Sequence, residues 1–425
     1  MKILVVGNGA REHALVKKLI GEPFVDGVIC APGNAGIERE YSTRVVPLNI
    51  SDSEAILSVA EAEAVDMTVV GPELPLANGV ADLFLTHGRF LFGPTKSAAR
   101  LESSKSFAKS FMARHGIPTA SFEICQNYEQ ALDLIRGDRF GASVVIKADG
   151  LAAGKGVTVA EDHKTAESAI RDAMVERRFG DAGTSLVLEE CLTGPEVSYF
   201  VITDGTRFIS LPPAQDHKRA FDNDAGPNTG GMGAFAPSPL LTSELEQFVI
   251  RDIVEPTIEG MRQEGHEYRG VLYVGLMLTD EGPKVIEFNV RFGDPEAQIV
   301  LPMVESQLGP VLLAAAKGDL GQVDWRVSSE PHVGVVMASG GYPGKHETGF
   351  PIKGIDAAEE IAGVQVIHAG TVLKDEDTLT NGGRVLTVVA SGSSFTSAIE
   401  HAYEGVERIS FKGSHVRRDI GKKAL

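Results

Sequence analysis

Short apolar runs alternate with amphipathic stretches from the start of the chain. Ile3–Val6 precedes a helix pattern over Arg11–Ile20, and Gly27–Cys30 and Arg44–Val46 precede another over Ser53–Ala64. Met67–Val70 then leads to Gly79–His87 and Phe90–Phe92. Unalternating, β-branched runs predict strands covered on both faces, and helices between them predict a parallel, doubly wound sheet. Gly7-Asn8-Gly9, Ala31–Gly36 and Gly71-Pro72-Glu73 close three of these strands, where ligands of open α/β sheets bind.

The texture changes near Lys105. Ser103–His115 predicts a helix, stopped by Gly116 and Pro118. Strands are expected at Ser143–Ala148, Val157–Ala160, Ser185–Glu190, Gly270–Leu278 and Lys284–Val290. Ala214–Pro239 is rich in Gly, Pro, Asn and Asp; with Asp216, His217, Lys218 and Phe221 in it, the stretch reads as a long functional loop rather than a linker. The tail predicts strands at Val333–Ala338, Val364–Ala369 and Arg384–Ser391, with a helix near Thr396–Ile409.

Charge and cysteine usage narrow the function. Forty Lys+Arg against 58 Asp+Glu give a net charge of −18 with no basic cluster, which disfavours nucleic acid as a partner. Cys30, Cys125 and Cys191 are far apart, without metal-ligand spacing, so neither a disulfide framework nor a structural zinc is expected. A cytoplasmic location is. The apolar run at the start is too short for a signal peptide, and no stretch approaches the roughly 18 apolar residues of a membrane span, so a soluble protein without membrane association is expected.

Four segments carry candidate chemistry. Gly7-Asn8-Gly9-Ala10-Arg11-Glu12 follows a strand as a dinucleotide fingerprint does, but Glu12 replaces the third glycine and only Asp26 offers a weak ribose acid. Both features disfavour a nicotinamide oxidoreductase. Backbone N–H groups and Arg11 could meet an anion there; a tight βα turn with a surface arginine accounts for the same residues equally well. Ala148–Gly156, with three glycines, Lys147 and Lys155, suits a hairpin folded over phosphates, though Gly156 after the lysine excludes a Walker A loop. On a strand, Glu287, Asn289 and Arg291 share one face while Ile286, Phe288 and Val290 enter the core. A carboxylate, an amide oxygen and a guanidinium in a row suit a magnesium-bound polyphosphate. Val187–Leu192, followed by Glu196, could present backbone groups to adenine and a carboxylate to ribose; surface acids explain these residues too.

Taken in order, the motifs resemble the phosphoribosylamine–glycine ligase (glycinamide ribonucleotide synthetase) family of the ATP-grasp superfamily. The resemblance runs end to end through Val6–His13, Pro32–Gly36, Val70–Leu76, Gln215–Arg219, Asn228–Gly233, Asn289–Glu296 and Ala338–Gly344. It implies an α/β, multi-domain enzyme: a doubly wound pre-ATP-grasp domain (1–103), an ATP-grasp body (104–327) with a mobile lid (about 120–192), and a small α/β C-terminal domain (328–425). It also implies ligation of glycine to 5-phosphoribosylamine in purine synthesis, through glycyl phosphate, with ATP as co-substrate and Mg2+ or Mn2+ as cofactor, by a monomer or weak oligomer. By the resemblance Lys105, Lys147, Gly154, Gly156, Glu189, Glu190, Leu192 and Glu196 meet ATP, and Glu287 and Asn289 hold the metal. Gly9, Arg11, Gly33, Asn34 and Gly36 would receive the ribosylamine phosphate. Asp216 and Arg291 would grip glycine and, with Lys155, form the catalytic set. Gly275-Leu276-Met277 lacks a carboxylate that many ATP-grasp enzymes carry, which withholds that ligand from a second metal.

Overall fold

The computed structural model describes residues 1–151, 156–321 and 323–425. β1 (Lys2–Gly7), β2 (Gly27–Pro32), β3 (Thr43–Val45), β4 (Met67–Val70) and β5 (Leu91–Phe92) form one sheet in the order β3-β2-β1-β4-β5, every pair parallel. Central β1 explains the missing alternation: Ile3 and Val5 pack with Leu15 and Leu19 of the helix over Ala10–Ile20, while Leu4 and Val6 pack with Ile56 and Phe84 on the other side. The strand order reverses at β1, so the turns after β1 and β2 flank the crevice where such sheets bind ligands.

β6 (Phe122–Cys125), β7 (Val144–Ala148), β8 (Val157–Ala160) and β9 (Leu186–Glu190) make a separate antiparallel sheet in the order β6-β9-β7-β8. Helices Tyr128–Arg136 and His163–Met174 close it around its own small core of Leu132, Ile135, Ile146, Ile170 and Leu188.

The remaining strands build one large sheet and two separate two-stranded ribbons. β10 (Glu196–Thr203), β11 (Phe208–Asp216), β12 (Arg219–Phe221), β13 (Ala225–Asn228), β14 (Gly233–Ala236), β15 (Gly270–Thr279) and β16 (Gly282–Asn289) precede β17 (His332–Ala338), β18 (Val364–His368), β19 (Thr371–Lys374), β20 (Asp377–Thr380) and β21 (Arg384–Ser391). Eight of them pair as β16-β15-β10-β11-β14-β17-β21-β18. The expectation of a long loop over Ala214–Pro239 is thereby corrected. Its start completes β11, β12 and β13 pair as a hairpin, and β14 is the splice between β11 and the C-terminal strand β17. Small residues such as Gly233 and Ala234 carry no strand signal in isolation; they pair because both neighbours are already in place.

A bulge decides what β16 presents. Gly275 pairs with Glu287 and Leu276 with Val285, so Ile286 is skipped. Ile286 was expected in the core; instead Val285 is fully buried and Ile286 only partly so. The extra residue resets the alternation, leaving Phe288 in the core and Glu287 partly accessible beside it. Among the described residues no helix is long and apolar enough to cross a membrane.

Candidate functional site

The bulge also exposes the Ile286 carbonyl, which accepts Lys147 Nζ at 3.0 Å and joins the end of β7 to β16. Lys147 is buried and stands 2.9 Å from Glu189 Oε1, while Lys109 stands 2.7 Å from Glu189 Oε2. The Glu189 carboxylate therefore faces two lysines. Burial pushes the Lys109 ammonium down to about 8 despite that carboxylate, with Lys147 adding repulsion. Lys105 opens the helix over Lys105–Arg114, and its Nζ donates to the Gly150 carbonyl at 3.0 Å. Asp149 is moored to the same helix start by the Ser106 N–H and the Ser104 hydroxyl, each at 3.1 Å. Gly154 and Lys155 lie outside the described residues; Gly156 follows them, its carbonyl accepting the Ala148 N–H at 2.8 Å.

Further along the cleft, Glu190 Oε1 accepts the Ser121 N–H at 3.0 Å, and Leu192 leads by way of Gly194 to Glu196 at the head of β10. Glu196 pairs with Lys218. Asp216 and Lys218 flank the buried His217, and Asp216, Glu196 and Glu287 together hold the Lys218 ammonium well above its usual range. Burial, with Glu296, Glu196 and Glu287 nearby, raises the Asp216 carboxyl to about 7 although Lys218 opposes it. For Glu287 the balance reverses: burial alone would raise it, but Lys218, Lys147, Lys105 and Arg291 hold it below the usual carboxylate range. Arg291 Nη2 reaches Asn289 Oδ1 at 3.1 Å and Glu102 Oε1 at 3.0 Å, with Glu73 at 3.5 Å from Nε. Its buried Nε–H makes no close hydrogen bond, Glu73 being the carboxylate that stands nearest to it.

A second cavity, of about 360 Å³, lies where the turns after β1 and β2 meet the start of β19. Asn8, Gly9, Gly33 and Asn34 line it, as do Asp294 and Arg384. Two residues assigned to the acceptor phosphate do not reach it. Arg11 is buried between Glu12 Oε1 at 2.9 Å and the Phe292 carbonyl at 2.8 Å. Gly36 packs against the His13 and His368 rings, and its N–H is capped by Asn34 Oδ1 at 3.0 Å. The Gly9 N–H is also taken, by Glu12 Oε2 at 2.6 Å. Glu12 thus supplies from within the anion that a dinucleotide phosphate would supply from outside, and its side chain fills the space that a Cβ on Gly7 or Gly71 would need. Asp26 sits at the opposite end of β2, paired with the Met1 amino group at 2.7 Å.

Three strands and one helix start therefore deliver Lys147, Glu287, Asn289, Arg291, Asp216, Lys218 and Lys105 to one cleft. Sequence reasoning missed Glu102, Glu73, Lys109, Glu296, Asp294 and Arg384. Glu73, Asp294 and Glu296 stood inside quoted motifs; Glu102, Lys109 and Arg384 gave no signal, because their partners are far away in the chain.

Comparison with known proteins supplies a family. Residues 1–102 match the phosphoribosylglycinamide synthetase N domain, 103–297 its ATP-grasp (A) domain and 332–423 its C domain. The phosphoribosylamine–glycine ligase of Xylella fastidiosa is 49% identical over all of this chain and 98% of its own length; that of Escherichia coli is 47% identical over all of this chain and 99% of its own. The crystal structure of the Thermotoga maritima phosphoribosylamine–glycine ligase superposes with a TM-score of 0.85 at 33% identity, covering 99% of this chain and 100% of that one. The biotin carboxylase domain of Hydrogenobacter thermophilus 2-oxoglutarate carboxylase, a MgADP complex, shares the fold at 18% identity, with a TM-score of 0.74 over 98% of this chain and 91% of that one.

Proposed function

The chain belongs to the phosphoribosylglycinamide synthetase family, and from that premise we propose that it joins glycine to 5-phosphoribosylamine at the expense of ATP. The products are glycinamide ribonucleotide, ADP and phosphate, in purine synthesis. The observation that carries this reading is the convergence of Lys105, Lys147, Lys218 and Arg291 on Glu287, beside Asn289.

A carboxylate is a poor electrophile and has to be activated before an amine can displace one of its oxygens. Lys147, fixed by Glu189 and the Ile286 carbonyl, and Lys105, at its helix start, would meet the ATP phosphates. Cations already in place need no reorganisation as charge develops on the transferred phosphoryl group. Glu287 and Asn289 would hold Mg2+ or Mn2+. Their oxygens are hard donors, and no cluster of three or more His, Cys, Asp or Glu able to enclose a metal occurs among the described residues, which suits an ion that shares its ligands with phosphate oxygens and water. The ion would supply charge neutralisation on the polyphosphate.

Arg291 is suited to glycine's carboxylate through its planar guanidinium, and Asp216 to the ammonium, whose positive charge would favour the ionised carboxylate. Glycine phosphorylated on its carboxyl would then meet the amine in the same cleft, where holding the two together can lower the barrier by about 7–11 kcal/mol. Adenine would lie against the backbone near Leu192, since the Glu189 side chain is committed to lysines, and Glu196 would exchange Lys218 for ribose hydroxyls. Gly154, Gly156 and Lys155 remain assigned to the phosphates, Gly9, Gly33 and Asn34 to the acceptor. No protein nucleophile is required. A coupled ADP assay with each substrate omitted in turn tests the reading: release should require glycine and 5-phosphoribosylamine together, and a comparable rate with another carboxylate in place of glycine would contradict it.

A further inference from the structure

The acceptor cavity is sparingly charged: its lining holds two acids, Glu38 and Asp294, and one cation, Arg384. Asp294 follows Asn289 and Arg291 by a few residues, and the Arg291 charge of the phosphoryl-transfer cleft acts on its carboxylate. Its carboxylate is fixed from two sides. Oδ1 accepts Gln298 Nε2 at 2.7 Å, and Oδ2 stands 3.0 Å from Arg384 Nη2. Arg384 Nη1 donates to the Asp294 carbonyl at 2.9 Å and to the Gly230 carbonyl at 2.6 Å. Oδ2 also lies 3.8 Å from where a Cβ would stand on Gly9, so the carboxylate faces the turn after β1.

Resting on the ligase reading above, we propose that Asp294 is a catalytic residue that accepts a hydrogen bond from the 5-phosphoribosylamine nitrogen, and that Arg384 is the residue that positions it. In the acyl transfer the nitrogen lone pair attacks the carbonyl carbon of glycyl phosphate. The C–N bond forms, the C–O bond to phosphate breaks, and the proton lost by nitrogen leaves on the phosphate as HPO4 2−. No net proton passes to the protein. What the step needs is an amine whose lone pair is aimed, and a carboxylate holding one N–H supplies that aim. Burial would raise the Asp294 carboxyl, but Arg384, Arg11, the Gln298 hydrogen bond and Arg291 hold it below its usual range, which keeps it an acceptor. These act on it most strongly: Arg384 from the start of β21, Arg11 from the helix over Ala10–Ile20, Gln298 from the helix over Glu296–Met303, and Arg291 from its own segment; the Glu12 carboxylate lies against the same Gly9 turn.

Steady-state kinetics with each substrate varied separates this role from a structural one. Asp294→Asn should lower kcat/KM for 5-phosphoribosylamine by about 10–100-fold, the loss typical of a hydrogen bond to a charged group, while KM for ATP and glycine stays within about twofold. Arg384→Met should give a smaller loss in the same parameter and move the acid limb of its pH profile upward, because Asp294 loses its nearest cation; Arg384→Lys should restore part of both. Equal losses for all three substrates, no loss at all, or an unmoved acid limb would each overturn the proposal. A wild-type protein without glycine- and 5-phosphoribosylamine-dependent turnover would remove the ligase reading itself. An active wild type with an unaffected Asp294→Asn removes only this inference.

Discussion

At Glu189 a single buried carboxylate stands between two buried ammoniums, Lys109 and Lys147, each side chain no more than 6% exposed. Glu189→Gln would leave both cations without a counter-charge, and breaking a buried pair in this way typically destabilises by about 3–5 kcal/mol. Chemical denaturation should show a loss of that size together with weakened ATP binding, because Lys147 would no longer be held. Glu287 is the opposite case. It makes no hydrogen bond to a side chain among the described residues, and its ionised state is imposed by four cations, so it serves the site more than the fold. Glu287→Ala should keep its melting temperature within a few degrees while metal-dependent turnover falls by about 10²–10³-fold or more. Normal turnover in that variant would remove the metal assignment.

Between elements, the helix over Ala10–Ile20 meets β18 through a buried histidine pair. The His368 N–H donates to His13 Nδ1 at 2.8 Å, so His13 carries its proton on Nε2 and donates it to Glu40 at 3.1 Å, where Lys17 also arrives at 2.9 Å. Burial would raise the Glu40 carboxyl, but the His13 and Lys17 hydrogen bonds hold it at about 2; burial lowers His13, and lowers His368 to about 3. A depressed carboxyl contributes stability above its unfolded value of 4.5 and loses it as pH falls towards 2. The two histidines act in the same direction, since each binds a proton more readily once released. Acid should therefore loosen this junction, and Glu40→Gln should flatten the stability profile between about pH 4.5 and 2 in urea titrations. These elements differ in how legible they were. β1, β4 and β21 announce themselves because both faces are apolar, whereas β12 to β14 are short, small-residue strands defined by neighbours distant in sequence. The bulge at Ile286 left no trace in the residue pattern either, yet it sets which side chains of β16 face the cleft.

Across the whole molecule, the order of motifs carried the family and the cleft, because Lys147, Glu287 and Asn289 lie on strands whose direction the sequence specifies, with Arg291 two residues past the end of β16. It carried the acceptor site less well. The Gly7–Arg11 turn reads as a phosphate cradle, but Arg11 forms a closed internal ion pair with Glu12, and the cation that does line the cavity, Arg384, comes from a strand more than 350 residues further on. The continuous eight-stranded sheet explains how that distant residue is delivered: β14 ties β11, which ends at Asp216, to β17, and β17 carries β21 alongside. The central claim is that this arrangement exists to phosphorylate a carboxyl group. It is tested most directly by supplying glycine labelled with 18O in its carboxylate, together with ATP and 5-phosphoribosylamine, and analysing the inorganic phosphate by mass spectrometry. Each phosphate released should carry one 18O atom from glycine; phosphate free of label would contradict the account.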